Sequence, residues 1–347
     1  MSQLNAQEQN NGTVEFDEIA IYGTGGAGIG ITKYFEADRN KQIPGYASLH
    51  PVYLDTSKAS TFGVPEQYFY HLEKEPGETA DGSGGVRSEH GSTIIEYTRE
   101  ILQRFKPKKW NIVVHSTTGG SGSVMGPSIV SELLAMGQNV IVFTVGGDDT
   151  LNYIKNTISV LSGYGSMAEL RERPVVLRYL QNGLDGTIEE VDRKIQLDIS
   201  CLSVLLSGQN KNLDSRDIAN VLDFSRKGVT SYGPQVAVLH IQQHSLEVGD
   251  RSVISLATLN DSLNNTRVKQ PVEFQRVGVP MYVNEEQREL KFPLHFAVTD
   301  GFVDVVMRNL RKQRDEFALK ADSRVVRNKL VTGKEKVAAN GLVFDDE

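Results

Sequence analysis

The sequence predicts an α/β protein with a parallel, doubly wound sheet, a long central helix and a smaller α+β C-terminal half. Three observations predict it. Short apolar runs alternate with helical patterns, glycine clusters sit at the carboxyl ends of those runs, and from residue 236 onward strand-like runs dominate. At 347 residues the chain exceeds what one core usually serves, so two domains are expected.

The polar stretch Met1–Asn11 is no signal peptide and reads as part of a disordered tail over 1–16. Glu18–Tyr22 is a strand, and Gly23-Thr24-Gly25-Gly26-Ala27-Gly28-Ile29-Gly30 opens a helix running to about Glu36. Pro51–Leu54 is a second strand ending at Asp55-Thr56-Ser57. A poorly patterned segment leads to Asp81-Gly82-Ser83-Gly84-Gly85-Val86-Arg87, and a helix then carries Ile94, Ile95, Ile101 and Leu102. Ile112–Val114 is a buried strand, followed by Thr117-Thr118-Gly119-Gly120-Ser121-Gly122-Ser123-Val124-Met125-Gly126-Pro127 and a helix over 129–134. Val140–Phe143 and Pro174–Leu177 are two more strands.

From Thr187 to Ser207 apolar residues recur every three or four positions, at Ile188, Val191, Ile195, Ile199, Leu202 and Leu206. Leu197, Cys201 and Leu205 are apolar as well, so this helix is expected to be covered on more than one side. The second half offers strands at 236–239, 253–256, 277–282 and 294–298, then a last helix over 302–330 with a stripe of Val303, Val306, Met307 and Leu310. That helix is rich in Arg and Lys, and the chain closes on Phe344-Asp345-Asp346-Glu347. The expected organisation is a tail at 1–16, a nucleotide-binding domain at 17–186, a central helix at 187–210, an α+β domain at 211–300 and a helix with an acidic tail at 301–347.

Bulk composition narrows the function. The net charge of −7 argues against nucleic-acid binding by bulk attraction. Cys201 is the sole cysteine, so no intramolecular disulfide can form, and it is expected to pack in the core. No apolar run reaches the ~18 residues of a membrane span. The histidines are scattered, so no transition-metal site is expected.

The glycine loops carry the chemistry. A Gly/Ser turn that opens a helix exposes backbone N–H groups to an anion, and the helix terminus adds partial positive charge. The 117–124 loop lacks the Gly-Lys-Ser/Thr of a P-loop, so amides and hydroxyls would hold the phosphate, with Mg²⁺ carried by the ligand. Gly23, Gly25 and Gly28, with Asp55 closing the next strand, also fit a dinucleotide fingerprint. Asn212-Leu213-Asp214-Ser215-Arg216-Asp217 follows the central helix; its simplest role is to cap a helix containing Ile218, Val221 and Leu222.

The Thr-Gly-Gly-Ser-Gly-Ser segment between strand and helix resembles the glycine-rich signature of the tubulin/FtsZ superfamily of GTPases. Its Gly-Gly-Ser-Gly-Ser-Val-Met-Gly-Pro form is similar to the phage branch, the PhuZ-type tubulins. The resemblance implies GTP/GDP binding with Mg²⁺, phosphate loops at Gly25, Gly26, Ala27 and Gly28, at Gly84, Gly85 and Arg87, and at Gly119, Gly120, Ser121, Gly122 and Ser123. It puts base and ribose contacts on Asp149, Asn182 and Asp192, with Ile188 where the family often has a stacking aromatic residue. The family's Asn-x-Asp-x-x-Asp loop matches Asn212, Asp214 and Asp217, which would complete the next subunit's site and polarise the attacking water. Thr118, Val124 and Val86 depart from the cellular signature.

The resemblance further implies head-to-tail self-assembly supported by the acidic tail; hydropathy and net charge lead us to expect no membrane and no direct nucleic-acid contact. It implies a dynamic filament in the host cytoplasm that positions phage DNA or a nucleoprotein compartment. Two other readings stay open: a Rossmann-type NAD(P) enzyme, and a structural filament that binds nucleotide without hydrolysing it.

Overall fold

Strands buried on both faces read as near-continuous apolar runs. In the computed structural model these are β1 (Glu18–Thr24), β2 (Ser48–Asp55), β4 (Trp110–Ser116), β5 (Val140–Gly146) and β6 (Val175–Gln181), with the short β3 (Phe69–His71) at the margin. They pair in parallel in the order β3-β2-β1-β4-β5-β6. The structure describes residues 16–72, 82–261, 272–282 and 290–323, together with β12 (Lys336–Val337) and β13 (Val343–Phe344). The expected tail over 1–15, the end of the last helix beyond 323 and the acidic residues 345–347 lie outside the described residues.

Helices cross between the strands: α1 (Gly25–Thr32), α2 (Gly91–Arg104), α3 (Gly122–Ala135), α4 (Leu151–Arg171) and α5 (Ile188–Leu205). One apolar core gathers Phe35 and the buried side of α5; the other gathers α2, α3 and α4. Ile94, Ile101 and Leu102 of α2 are buried, whereas Ile95 faces solvent.

α5 begins with a reciprocal cap. The Thr187 hydroxyl accepts from Glu190 N–H, and the Glu190 carboxylate accepts from Thr187 N–H. Val191, Ile195, Ile199 and Leu202 are buried, as are Cys201 and Leu205. Burial pushes the Cys201 thiol up to about 12, which keeps it an inert packing group. Ile188 and Leu197 are exposed, so the helix is covered less completely than its apolar pattern predicts.

The second half joins the same sheet. β8 (Val236–Gln243) pairs in parallel with β6 through Val175↔Val236, Val176↔Ala237 and Leu177↔Val238. β11 (Leu294–Thr299) runs antiparallel between β8 and β9 (Val253–Leu259). β10 (Phe274–Pro280) lies parallel to β9, and β7 (Asn210–Lys211) closes the edge against β10. Among the described residues the result is one sheet of 11 strands. α6 (Ser215–Leu222) buries Ile218, Val221 and Leu222. α7 (Phe302–Ser323) returns to the first half, with Met307 and Leu310 buried in the core that α4 shares. β12 and β13 pair with each other. Among the described residues no helix is long and apolar enough to cross a membrane.

Candidate functional site

Two helices start back to back at the carboxyl edge of the sheet. α1 begins at Gly25 directly after β1, and α3 begins at Gly122 after the loop that follows β4. A Cβ on Gly25 would lie 2.8 Å from the Gly122 Cα, and one on Gly122 would lie 2.8 Å from the Thr24 carbonyl oxygen. Gly25 also has φ +68, so glycine is required there on both counts.

The first turns of both helices are open. Neither the Thr24 nor the Ser121 side chain caps its helix, and neither first turn holds a carboxylate. α4, α5 and α6, by contrast, start with side-chain caps from Thr150, Thr187 and Asp214. Uncapped N–H groups facing a cavity make an anion site.

The cavity is a cleft of about 310 Å³. Thr24, Gly25, Gly26 and Ala27 form one wall, Thr118, Gly119, Gly120, Ser121 and Gly122 another, and Asp55, Ser57, Gly82, Ser83 and Ser116 the rim. Larger grooves exist, including one of about 750 Å³ between the 34–49 segment and α5, but side chains rather than loop backbone line them. Hydroxyls knit the cleft loops together. Thr56 Oγ1 lies 2.5 Å from Ser121 Oγ, which donates to Ser83 Oγ at 3.2 Å. Asp55 accepts the Thr56 N–H at 2.7 Å, and burial pushes its carboxyl up to about 6.

Not every expected residue reaches the cleft wall. Gly28 lies under it, where a Cβ would fall on the Val114 carbonyl oxygen. Ser123 Oγ donates to Gly120 O at 3.0 Å and so serves the loop itself. Arg87 donates to Ser123 O at 2.8 Å and lines a neighbouring groove with Ile95 and Arg171. Gly84 and Gly85 have positive φ and form the turn leading to Arg87.

The expected base contacts line no part of the cleft; they sit after the carboxyl ends of β5 and β6 and in α5. Asp149 is exposed just after β5, and Asn182 follows β6. Asn182 N–H donates to Gly146 O at 3.1 Å, while its Oδ1 is buried with no hydrogen-bond partner among the described residues. Asp192 is half-buried in the second turn of α5, and burial raises its pKa. α7 reaches this corner, where Gln313 Nε2 donates to Asp148 Oδ2 at 2.8 Å.

The 212–217 loop lies elsewhere. Asp214 Oδ1 accepts from the N–H groups of Arg216 and Asp217, both at 2.8 Å, and Asp217 reciprocates weakly toward Asp214 N–H. This is the capping role read from the sequence. Ser215 Oγ donates to Asp17 Oδ2 at 3.4 Å, and Asp17 directly precedes β1. The loop is therefore at the amino ends of the strands whose carboxyl ends form the cleft. Seven residues of β1 separate the two, about 20 Å at ~3.3 Å per residue.

Comparison with solved structures decides the fold. The chain superimposes on a protofilament of TubZ from bacteriophage PhiKZ with a TM-score of 0.79 at 23% identity, covering 94% of this chain and 99% of that one. This chain has the tubulin/FtsZ fold. The phage tubulin PhuZ, solved with GDP, gives the same tubulin-like superposition: TM-score 0.80 at 21% identity over 94% and 99% of the two chains. In sequence, the tubulin-like chain is 28% identical over 219 residues to a phage tubulin-like protein of Pseudomonas phage PhiPA3, spanning 63% of this chain and 62% of that relative. No protein-family model matches.

The 55–57 and 82–87 clusters lie on the carboxyl rim as their place in the sequence suggests. The hydroxyl bridge from Thr56 through Ser121 to Ser83 is not legible there, because it depends on which loops meet. Residues 151–171 show no clear apolar period, yet they form α4, from which Asn152 and Asn156 reach the Gly85 and Thr118 carbonyls.

Proposed function

We propose that this protein is a phage tubulin: a GTPase that assembles head to tail and hydrolyses GTP at a site shared by two copies. One observation carries the reading. The phosphate cleft and the Asn212–Asp217 loop sit at opposite ends of the same strands, so a single chain cannot bring them together. A second copy stacked along the strand direction can. Such a contact joins unlike surfaces and propagates as a filament.

The residues suit each step. The open first turns of α1 and α3 hold phosphates through backbone N–H groups. Asp55 and the hydroxyls of Thr56, Ser83 and Ser121 supply the hard oxygen ligands that Mg²⁺ favours beside a polyphosphate. Asp192 offers an acceptor to the N1–H and N2–H₂ donors of guanine, where adenine has a ring nitrogen acceptor and a C–H, and Asn182 adds a buried amide oxygen. Phosphoryl transfer then needs an oriented water and charge neutralisation. Asp214 uses one oxygen as a helix cap, so its other oxygen is available to accept a proton from water in the neighbour's cleft. In the infected cell the filament works in the host cytoplasm and positions phage DNA or its compartment. The GDP of the PhuZ structure and the protofilament form of PhiKZ TubZ support the nucleotide and the assembly.

A purified sample tests this directly. Phosphate release from GTP should rise more steeply than protein concentration, with filaments visible by electron microscopy above the same threshold. Release proportional to concentration, without filaments, would refute the shared site.

A second reading is favoured by a specific observation. Both carboxylates already have structural tasks, Asp214 in the cap and Asp217 opposite Arg276 at 2.7 Å. A filament that binds GTP without turning it over would assemble yet release no phosphate in the same assay.

A further inference from the structure

α4 lines no wall of the cleft, yet it carries a buried polar face. Asn156 is 6% exposed. Its Nδ2 lies 2.7 Å from Thr118 O, 3.1 Å from Gly85 O and 3.5 Å from Gly119 O. Three carbonyl oxygens around one terminal atom fix the orientation of the amide, because its oxygen would meet only other oxygens there. Asn152, one turn earlier, donates to the same Gly85 carbonyl at 3.1 Å. Thr157 meets the Thr117 hydroxyl at 2.9 Å. Two turns on, Tyr164 OH lies 2.6 Å from His115 Nε2, while His115 Nδ1 lies 3.1 Å from Ser116 O. The carbonyl can only accept, so Nδ1 carries the hydrogen and Nε2 takes one from the tyrosine.

The bonds from Asn152, Asn156, Thr157 and Tyr164 run from α4 to the two glycine loops or to the strand end between them. Gly84, Gly85 and Gly119 have no side chains with which to anchor themselves. A loop of that composition is costly to order. A binding site whose donors are already placed avoids that cost when the ligand arrives.

We infer that Asn156 is a positioning residue of the nucleotide site: its amide sets the spacing between the 82–87 and 117–122 loops and holds their N–H groups in place before nucleotide binds. The inference rests on the nucleotide reading of the cleft. Asn156 touches no cleft space itself, so its effect is on affinity rather than on the water-activating step.

Two near-isosteric variants test it, Asn156→Leu and Asn156→Asp. The first removes the donor, and the second puts an acceptor against three carbonyls. Both should exchange the amide hydrogens of 83–87 and 117–122 at least tenfold faster in nucleotide-free protein. GDP binding should weaken about tenfold or more, in line with the loss of a buried hydrogen bond, with turnover at saturating GTP changed less than twofold. In Asn156→Asp, acidification restores a proton to donate, so its affinity relative to native protein should recover between pH 8 and pH 5. Asp55, His90, His115 and the permanently charged Arg87 face the same loops, but they are the same in both proteins and cancel in the ratio. Native-like affinity in both variants, or an affinity ratio flat with pH, would overturn the assignment. If native protein binds neither GDP nor GTP, the nucleotide reading fails instead, and the exchange rates still decide whether Asn156 holds the loops.

Discussion

Arg276 Nε donates to Asp217 Oδ1 at 2.7 Å, joining β10 to the first turn of α6. Asp217 is thereby aimed by a strand that it does not belong to. Both side chains are partly exposed, so the pair contributes under about 1 kcal/mol to stability. Arg276→Met should leave the denaturation midpoint almost unchanged and lower phosphate release in filaments at least threefold. Equal activity would show that Asp217 needs no such aiming.

Asp214 caps α6, and asparagine separates that cap from the hydrolytic role proposed for it. Asparagine is as good an N-cap as aspartate, whereas alanine forfeits the cap at a cost of about 1 kcal/mol. Asp214→Asn should therefore keep native stability and GTP affinity while yielding filaments that persist because hydrolysis is slow. Asp214→Ala should show the same slow hydrolysis with reduced stability in urea titrations. Loss of GTP binding in either variant would place Asp214 in its own chain's site.

Gly28 and Gly119 belong to different loops and should respond differently to alanine. A methyl at Gly28 would overlap the Val114 carbonyl oxygen, part of a central strand that cannot yield. Gly28→Ala should cost about 3 kcal/mol or more in chemical denaturation. At Gly119 an added Cβ meets nothing within 4 Å. Gly119→Ala should keep stability to within about 0.5 kcal/mol and weaken nucleotide binding, since it adds a methyl to the cleft wall.

Asp55 sets a pH signature. Its carboxyl is raised from 3.8 to about 6 by burial, so the folded state holds the proton more tightly than the unfolded state. The sign follows: its contribution is neutral below about pH 4, and stability is lost as pH rises through 6. Asp55→Asn should match native protein at pH 4 and exceed it by up to about 3 kcal/mol at pH 8, at 1.36 kcal/mol per unit. Urea titrations at pH 4, 6 and 8 give the comparison, and a difference independent of pH would contradict the burial argument.

Local chemistry made much of this fold legible. The glycine loops, the apolar strands and the Thr187 start of α5 each announce themselves within a few residues. Two features did not. The β6–β8 pairing depends on a register between residues some sixty positions apart, and no local pattern encodes it. α4 hides its helical period, because Gly163 and Gly165 interrupt it and Asn156 and Thr157 occupy buried positions where apolar residues would be expected. The candidate site divides in the same way. Cleft-lining glycines could be read from the sequence. The turn to Arg87 could be read too, but not that its guanidinium faces a different groove.

The separation of cleft and capping loop along β1 also has a mechanical meaning. Tension applied between those two ends runs parallel to β1 and β4, at right angles to the main direction of their interstrand hydrogen bonds. Such a load shears many bonds at once instead of peeling them one after another. A chain built this way resists pulling best along the one axis on which its neighbours would pull.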